Sequence, residues 1–147
     1  SFQGLSVPSE KDVLIHDISN FGSMEKYAGS MASPMSMLLE RIKSVSFPKE
    51  RTRIVAGFIE KTIKKNYLPE KVSFAYVDFD FYEPIKVALE YLDTVLSQDG
   101  VILVDDYGFF SEGAQAAVDE FYDSRKGKYE LVKVSEYAGH FVILKNS

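Results

Sequence analysis

Apolar positions recur along this chain with two different periods. From Ser33, the segment SPMSMLLERIKSV puts Met35, Leu38, Leu39, Ile42 and Val45 on one stripe, the spacing of a helix with a single apolar side. Ser33 suits the cap of that helix and Pro34 its first turn. TRIVAG (52–57) is a short apolar run closed by Gly57 and predicts a strand, and FIEKTIKKN after it predicts a short helix. KVSFAYVDFD, rich in β-branched and aromatic residues, predicts a second strand. EPIKVALEYLDTVLSQ predicts a helix, with Pro84 near its start and Ile85, Ala88, Leu89, Leu92 and Leu96 on one face. DGVILVDDY is continuously apolar before its acids, as strands buried on both faces are. EGAQAAVDEFYDSRKG predicts a further helix, with Ala114, Ala117, Val118 and Phe121 inward and Gly127 as its stop. The tail, YELVKVSEYAGHFVILKNS, reads as two antiparallel strands joined by a short turn. The first thirty residues scatter Gly, Pro and Ser, and read as a loop with one short helix.

Helix and strand thus alternate through the middle of the chain. That order predicts an α/β fold, a mainly parallel Rossmann-like sheet flanked by helices on both faces, with an antiparallel strand pair at its C-terminal end. No repeat, linker or low-complexity tract divides the 147 residues, so one domain is expected. With 17 basic against 22 acidic residues, and KTIKKN as the densest basic stretch, a nucleic-acid partner is not expected. No run of about 18 apolar residues predicts a membrane span, and no signal-peptide pattern opens the chain. Cysteine is absent, which removes disulfides, thiolate metal sites and cysteine nucleophiles and fits a cytoplasmic protein. Histidine occurs only at His16 and His140.

The acids change the picture. VDFDFY ends one apolar strand with Asp78 and Asp80, and VDDYG ends the next with Asp105 and Asp106. In an open parallel sheet, ligands bind beyond the carboxyl ends of the strands. A right-handed strand-helix-strand unit makes its two strands neighbours, so both acid pairs should face one crevice. Carboxylates packed that closely repel, and some must hold protons unless a cation joins them. Oxygen-only ligands favour Mg²⁺, with Ca²⁺ or Mn²⁺ as alternatives. The plainer reading is that Asp80 caps the following helix and Asp106 braces the YGFF turn.

The block from Phe74 to Phe121 resembles the macrocin O-methyltransferase (TylF-type) family. The motif residues are Asp78, Asp80 and Tyr82, then Gly100, then Asp105, Asp106, Tyr107 and Gly108, then Ala117, Val118, Asp119 and Phe121. The opening SFQGL is similar to the family's segment just past its second strand. The resemblance implies an O-methyltransferase dependent on S-adenosylmethionine and Mg²⁺, acting on a hydroxyl of a sugar or similar small molecule. It implies that Asp78, Asp105 and Asp106 hold the metal, and that the metal lowers the pKa of one of two adjacent acceptor hydroxyls. Asp78 is then the candidate base, with His16 the other group that titrates near neutral pH. Ser1, Gly57, Phe58 and Asp78 are the candidate cofactor-binding residues, with Phe58 bordering the adenine ring. Tyr82 and Tyr107 are candidates for the substrate mouth, while His140, in a tail strand, is expected to be structural.

The chain departs from the family pattern in three places. The Gly-rich loop after the first strand and the acid after the second are not in it, and Pro84-Ile85 replaces the usual Ser-Thr. The expectation is therefore a C-terminal portion of such an enzyme, inactive or weak alone. The FAYV strand should be left with an open edge, which either a homo-oligomer covers or a rearranged sheet removes. The alternatives are a non-catalytic metal-binding or interaction domain, a haloacid-dehalogenase-like phosphatase built on DFDFY, and a glycosyltransferase with an Asp-x-Asp metal site.

Overall fold

Apolar runs become strands here where a neighbour is available to take their main-chain hydrogen bonds. The computed structural model describes residues 1–65, 68–134 and 140–146. Its sheet has four strands, β1 (Val72–Val77), β2 (Leu96–Val104), β3 (Tyr129–Val134) and β4 (Phe141–Asn146), in the order β1-β2-β4-β3. β1 and β2 are parallel, and the β2–β4 and β3–β4 pairs are antiparallel. The turn expected between the two tail strands lies outside the described residues.

One face of the sheet is packed by α3 (Tyr82–Val95) and α4 (Glu112–Ser124). Ile85, Ala88, Leu89 and Leu92 of α3 meet Ala114, Ala117, Val118 and Phe121 of α4 over Val77, Ile102, Val104, Val142 and Leu144. These are the stripes the helical spacing predicts. Burying a leucine or isoleucine of this kind stabilises the fold by roughly 1.5–3 kcal/mol. Ser111 caps α4, its hydroxyl accepting from the Gly113 amide at 3.0 Å. The other face is more open: Phe74 is 61% exposed, Tyr76 49% and Val132 42%. The cover expected on both faces is therefore incomplete.

Three other expectations are corrected. TRIVAG (52–57) is not a strand. A short parallel strand stands only beside a partner, and among the described residues β1 pairs with β2 alone. α1 (Met35–Ser44) forms where its period places it, but none of its residues is buried, and its first turn carries no side-chain cap. Its stripe lacks an opposing surface, so Leu39 and Val45 stay exposed. α3 ends at Val95 rather than Gln98, and the chain passes directly into β2. There the pairing shifts from Val72↔Leu96 to Phe74↔Val101, because Ser97 to Gly100 bulge out. Asp99 takes φ 59° in that bulge, and a Cβ on Gly100 would lie 2.7 Å from the Ser97 carbonyl oxygen.

The expected short helix after Gly57 is α2 (Ile59–Thr62), continued by a 3₁₀ turn, Ile63–Lys65. The opening segment is irregular apart from the 3₁₀ turn Met24–Tyr27. It builds a second small core, Met24, Tyr27, Phe81 and Phe110, under the loops that follow β1 and β2. Among the described residues, no helix is long and apolar enough to cross a membrane.

Candidate functional site

The parallel register of β1 and β2 decides where the acids meet. Val77 lies opposite Val104, and the Asp105 amide donates to the Val77 carbonyl at 2.9 Å. Asp78 and Asp105 therefore leave the sheet side by side. Beyond them, Asp80 (φ 64°) and Asp106 (φ 59°) both adopt the left-handed conformation, uncommon for a side-chain-bearing residue but best tolerated by Asp and Asn. The outcome is a cluster in which oxygens of Asp78, Asp80 and Asp106 all lie within 4.8 Å of one another. Asp105, expected among the ligands, has other partners. Its carboxylate accepts from the Tyr76 hydroxyl and, at 2.8 Å, from the Asp106 amide.

The electrostatics follow from this crowding. Burial, then the Asp106 and Asp78 charges, push the Asp80 carboxyl up to about 7. Burial, then the Asp105 and Asp78 charges, push Asp106 up to about 6. Asp78, at the exposed rim, is also raised, by partial loss of water and by Asp105. Such a group either keeps protons or takes up a cation. Three convergent oxygen donors with no nitrogen or sulfur suit a hard divalent ion, so the residues present fit Mg²⁺.

A cavity of about 270 Å³ adjoins the cluster, with Ser1, Phe58, Asp78 and Asp80 in its wall. Three of the four candidate cofactor residues thus share one pocket. The fourth, Gly57, turns the chain into α2 at φ 136°, and a Cβ there would lie 2.9 Å from the Thr62 methyl group. The cavity falls just short of the roughly 300–1,000 Å³ usual for small-molecule sites. It suits one end of an extended ligand, and Phe58 gives its wall an aromatic side chain.

The two candidate mouth tyrosines are placed elsewhere. Tyr82 is buried, its hydroxyl donating to Glu120 at 2.6 Å and accepting from Lys11 at 3.0 Å. Tyr107 is buried against α4, its hydroxyl 2.6 Å from Asp119. In both cases an acid on α4 claims the hydroxyl. His16 is exposed and lies with its ring 5.2 Å from that of Phe109. His140 precedes β4 rather than lying in it, and its ring stacks on Phe109 at 4.6 Å.

One organising residue carries no motif. Asp12 is 5% exposed, and it accepts from the Tyr82 amide at the start of α3 and from the Ser111 hydroxyl at the cap of α4. Its other oxygen accepts from the Ser9 amide at 2.7 Å and hydroxyl at 2.8 Å. Gly113 is required beside it, since a Cβ there would lie 1.9 Å from the Asp12 carboxylate. Asp12 thereby fixes the two helix starts that follow the acid-bearing turns. The only local signal is Ser9-x-x-Asp12, a turn-forming spacing.

A family model described as Macrocin-O-methyltransferase (TylF) matches residues 1–142. Among solved structures, the O-methyltransferase NovP superposes with a TM-score of 0.79 at 20% identity, over 100% of this chain and 57% of that one. CalS11, a calicheamicin methyltransferase, superposes with a TM-score of 0.69 at 22% identity, over 98% of this chain and 57% of that one. The chain thus spans a little over half the length of each. No curated protein sequence matches it.

Proposed function

Since the chain belongs to the TylF macrocin-O-methyltransferase family, we propose that it carries the metal half of a methyl-transfer site acting on a hydroxyl of a sugar-type small molecule. Its fold is class I methyltransferase-like. The observation that carries the reading is the convergence of Asp78, Asp80 and Asp106 beyond two parallel strands, beside the cavity walled by Ser1 and Phe58.

In this reading S-adenosylmethionine supplies an electrophilic methyl group on a sulfonium sulfur. Phe58 and Ser1 orient one end of it. Asp78, Asp80 and Asp106 hold Mg²⁺, and Asp105 adds negative charge to their field while Tyr76 fixes its carboxylate. The acceptor hydroxyl must lose a proton as its oxygen takes the methyl group. In this reading Asp78, which is open to solvent, takes that proton, and His16 is the second candidate.

The test is calorimetric titration of the chain with Mg²⁺ and with S-adenosylhomocysteine, each alone and both together. Mg²⁺ should bind, and Asp78→Asn or Asp106→Asn should weaken it by roughly a hundredfold. Absence of Mg²⁺ binding to the unaltered chain sinks the metal reading. Mg²⁺ binding with silence toward S-adenosylhomocysteine favours the non-catalytic alternative, for which the small cavity speaks.

We propose further that two copies pair across the outer edge of β1. That edge is open among the described residues and carries the exposed Phe74 and Tyr76. Sedimentation should find a dimer that Phe74→Lys converts to monomer; a monomer at every concentration overturns the pairing.

A further inference from the structure

Residues 9–15 belong to neither acid-bearing motif, yet they are bonded to the chain just beyond both acid-bearing turns. The Glu112 amide donates to the Val13 carbonyl at 2.9 Å and the Ile15 amide to the Phe110 carbonyl at 3.0 Å, with a bridge between Leu14 and Ser111. The Lys11 ammonium donates to the Tyr82 hydroxyl at 3.0 Å and lies 4.1 Å from the centre of the Tyr82 ring. The segment is thus a strap laid across the starts of α3 and α4.

Asp12 is the buried centre of this strap. Its four donors are all neutral groups: the Tyr82 and Ser9 amides and the Ser9 and Ser111 hydroxyls. α3 has no side-chain cap of its own, and Asp12 supplies one from 70 residues away. Two helix starts, with their free amides and the positive ends of their dipoles, favour a carboxylate placed between them. One carboxylate oxygen, 2.8 Å from the Tyr82 amide and 3.1 Å from the Ser111 hydroxyl, ties the two starts together.

Each start lies a short way past an acid of the cluster. Asp80 is followed directly by Phe81, whose amide donates to the Phe79 carbonyl at 2.6 Å and closes that turn. In the turn of Asp106, the Phe109 amide donates to the Asp106 carbonyl at 3.2 Å. Beneath the two turns, Phe81 and Phe110 stack with ring centres 6.0 Å apart. Both acids hold a positive φ, a conformation that persists only where its surroundings enforce it. Their like charges also drive the turns apart when no cation lies between them.

Resting on the function proposed above, we infer that Asp12 is the positioning residue of the acid cluster. It holds the turns of Asp80 and Asp106 at the separation at which their oxygens converge, so that the site is formed before an ion arrives. It contacts neither ion nor substrate. The strap opposes the repulsion within the cluster, and a preformed site binds more tightly than one the ion must assemble.

The test compares Asp12→Asn with Asp93→Asn, which weakens the fold through partners that belong to neither turn. Asparagine at position 12 can keep the bonds from Tyr82 and Ser111, but it loses the charge and sets an amide against the Ser9 amide. Hydrogen exchange of the Phe81 and Phe109 amides is read in EDTA. Asp12→Asn should speed both about tenfold, as local opening of the turns, while Asp93→Asn leaves both unchanged. Calorimetry should then show Mg²⁺ bound about tenfold more weakly by Asp12→Asn and with undiminished affinity by Asp93→Asn. Ser9→Ala removes a single donor to Asp12 and should move both readouts the same way, by about threefold; it carries the test if Asp12→Asn does not fold. Unchanged exchange at both amides in the folded variant, or Mg²⁺ affinity that falls as far in Asp93→Asn, overturns the positioning role. Exchange is read without metal, so a chain whose two amides respond but which does not bind Mg²⁺ keeps Asp12 as the residue that sets the turns and loses the metal reading.

Discussion

Asp93 and Asp80 are the same side chain at two ends of the electrostatic range. Asp93, on α3, accepts from Arg125 at 2.8 Å, from Lys128 at 2.7 Å and from the Tyr129 hydroxyl at 2.8 Å. Burial alone would raise its pKa, but these three partners outweigh it and hold the carboxyl at about 2. Asp80, and Asp106 with it, are surrounded by further acids and are pushed the other way. The fold can therefore compensate a buried carboxylate, and does so where the acid ties α3 to the chain after α4. At the carboxyl ends of β1 and β2 it leaves the repulsion in place. Uncompensated charge at a cleft is a mark of function rather than of stability.

Substitution tests the contrast most strongly at Asp93. Asp93→Asn removes the charge that Arg125 and Lys128 share and should destabilise the fold by about 1–2 kcal/mol in urea unfolding. That is the usual worth of charge-assisted hydrogen bonds, discounted for the partial exposure of Lys128. A loss near zero would mean that this centre is no more compensated than the other.

Asp106→Asn should act in the opposite direction and more weakly. Asparagine tolerates the positive φ of that position, so the backbone keeps its turn. Removing one of several repelling charges should stabilise the metal-free chain by up to about 1 kcal/mol, while abolishing the gain in thermal midpoint that Mg²⁺ gives. Destabilisation without metal would place Asp106 among the structural acids.

The same contrast explains what the sequence could and could not reveal. Both acid pairs were legible, because continuous apolar runs mark the strands and acids at their ends are visible in one dimension. Which acids converge was not. Asp80 enters the cluster through a left-handed turn, and Asp105 is occupied by Tyr76, a residue on the neighbouring strand. The inward faces of α3 and α4 followed from their period, yet the equally periodic α1 buries nothing, because period reports amphipathicity and not the presence of a partner. TRIVAG failed as a strand for the same reason. Tyr82 and Tyr107 looked like mouth residues by position in the motif, but Glu120 and Asp119, on α4, determine where their hydroxyls go. Asp12 was hidden because its partners Tyr82 and Ser111 lie 70 and 99 residues further on.

The smallest effect lies in the pH dependence of stability, where the two centres should produce limbs of opposite sign. Asp93 has its folded pKa, about 2, below the ordinary 3.8, so the unfolded chain binds the proton first. Its contribution is complete above 3.8 and is lost as the pH falls through about 2. Asp80 and Asp106 have folded pKa values above 3.8, so the folded chain holds the extra protons. Their effect on stability must therefore decline as the pH rises from 3.8 through about 6 and about 7. Urea midpoints across that range in EDTA should show both limbs. Asp93→Asn should flatten the acid limb alone and Asp106→Asn the neutral limb alone. Mg²⁺ should also remove the neutral limb, since a bound cation stabilises the ionised carboxylates that the bare site resists. If the neutral decline persists unchanged in Asp106→Asn, the repulsion does not reside in the cluster, and the contrast between the two acidic centres fails with it.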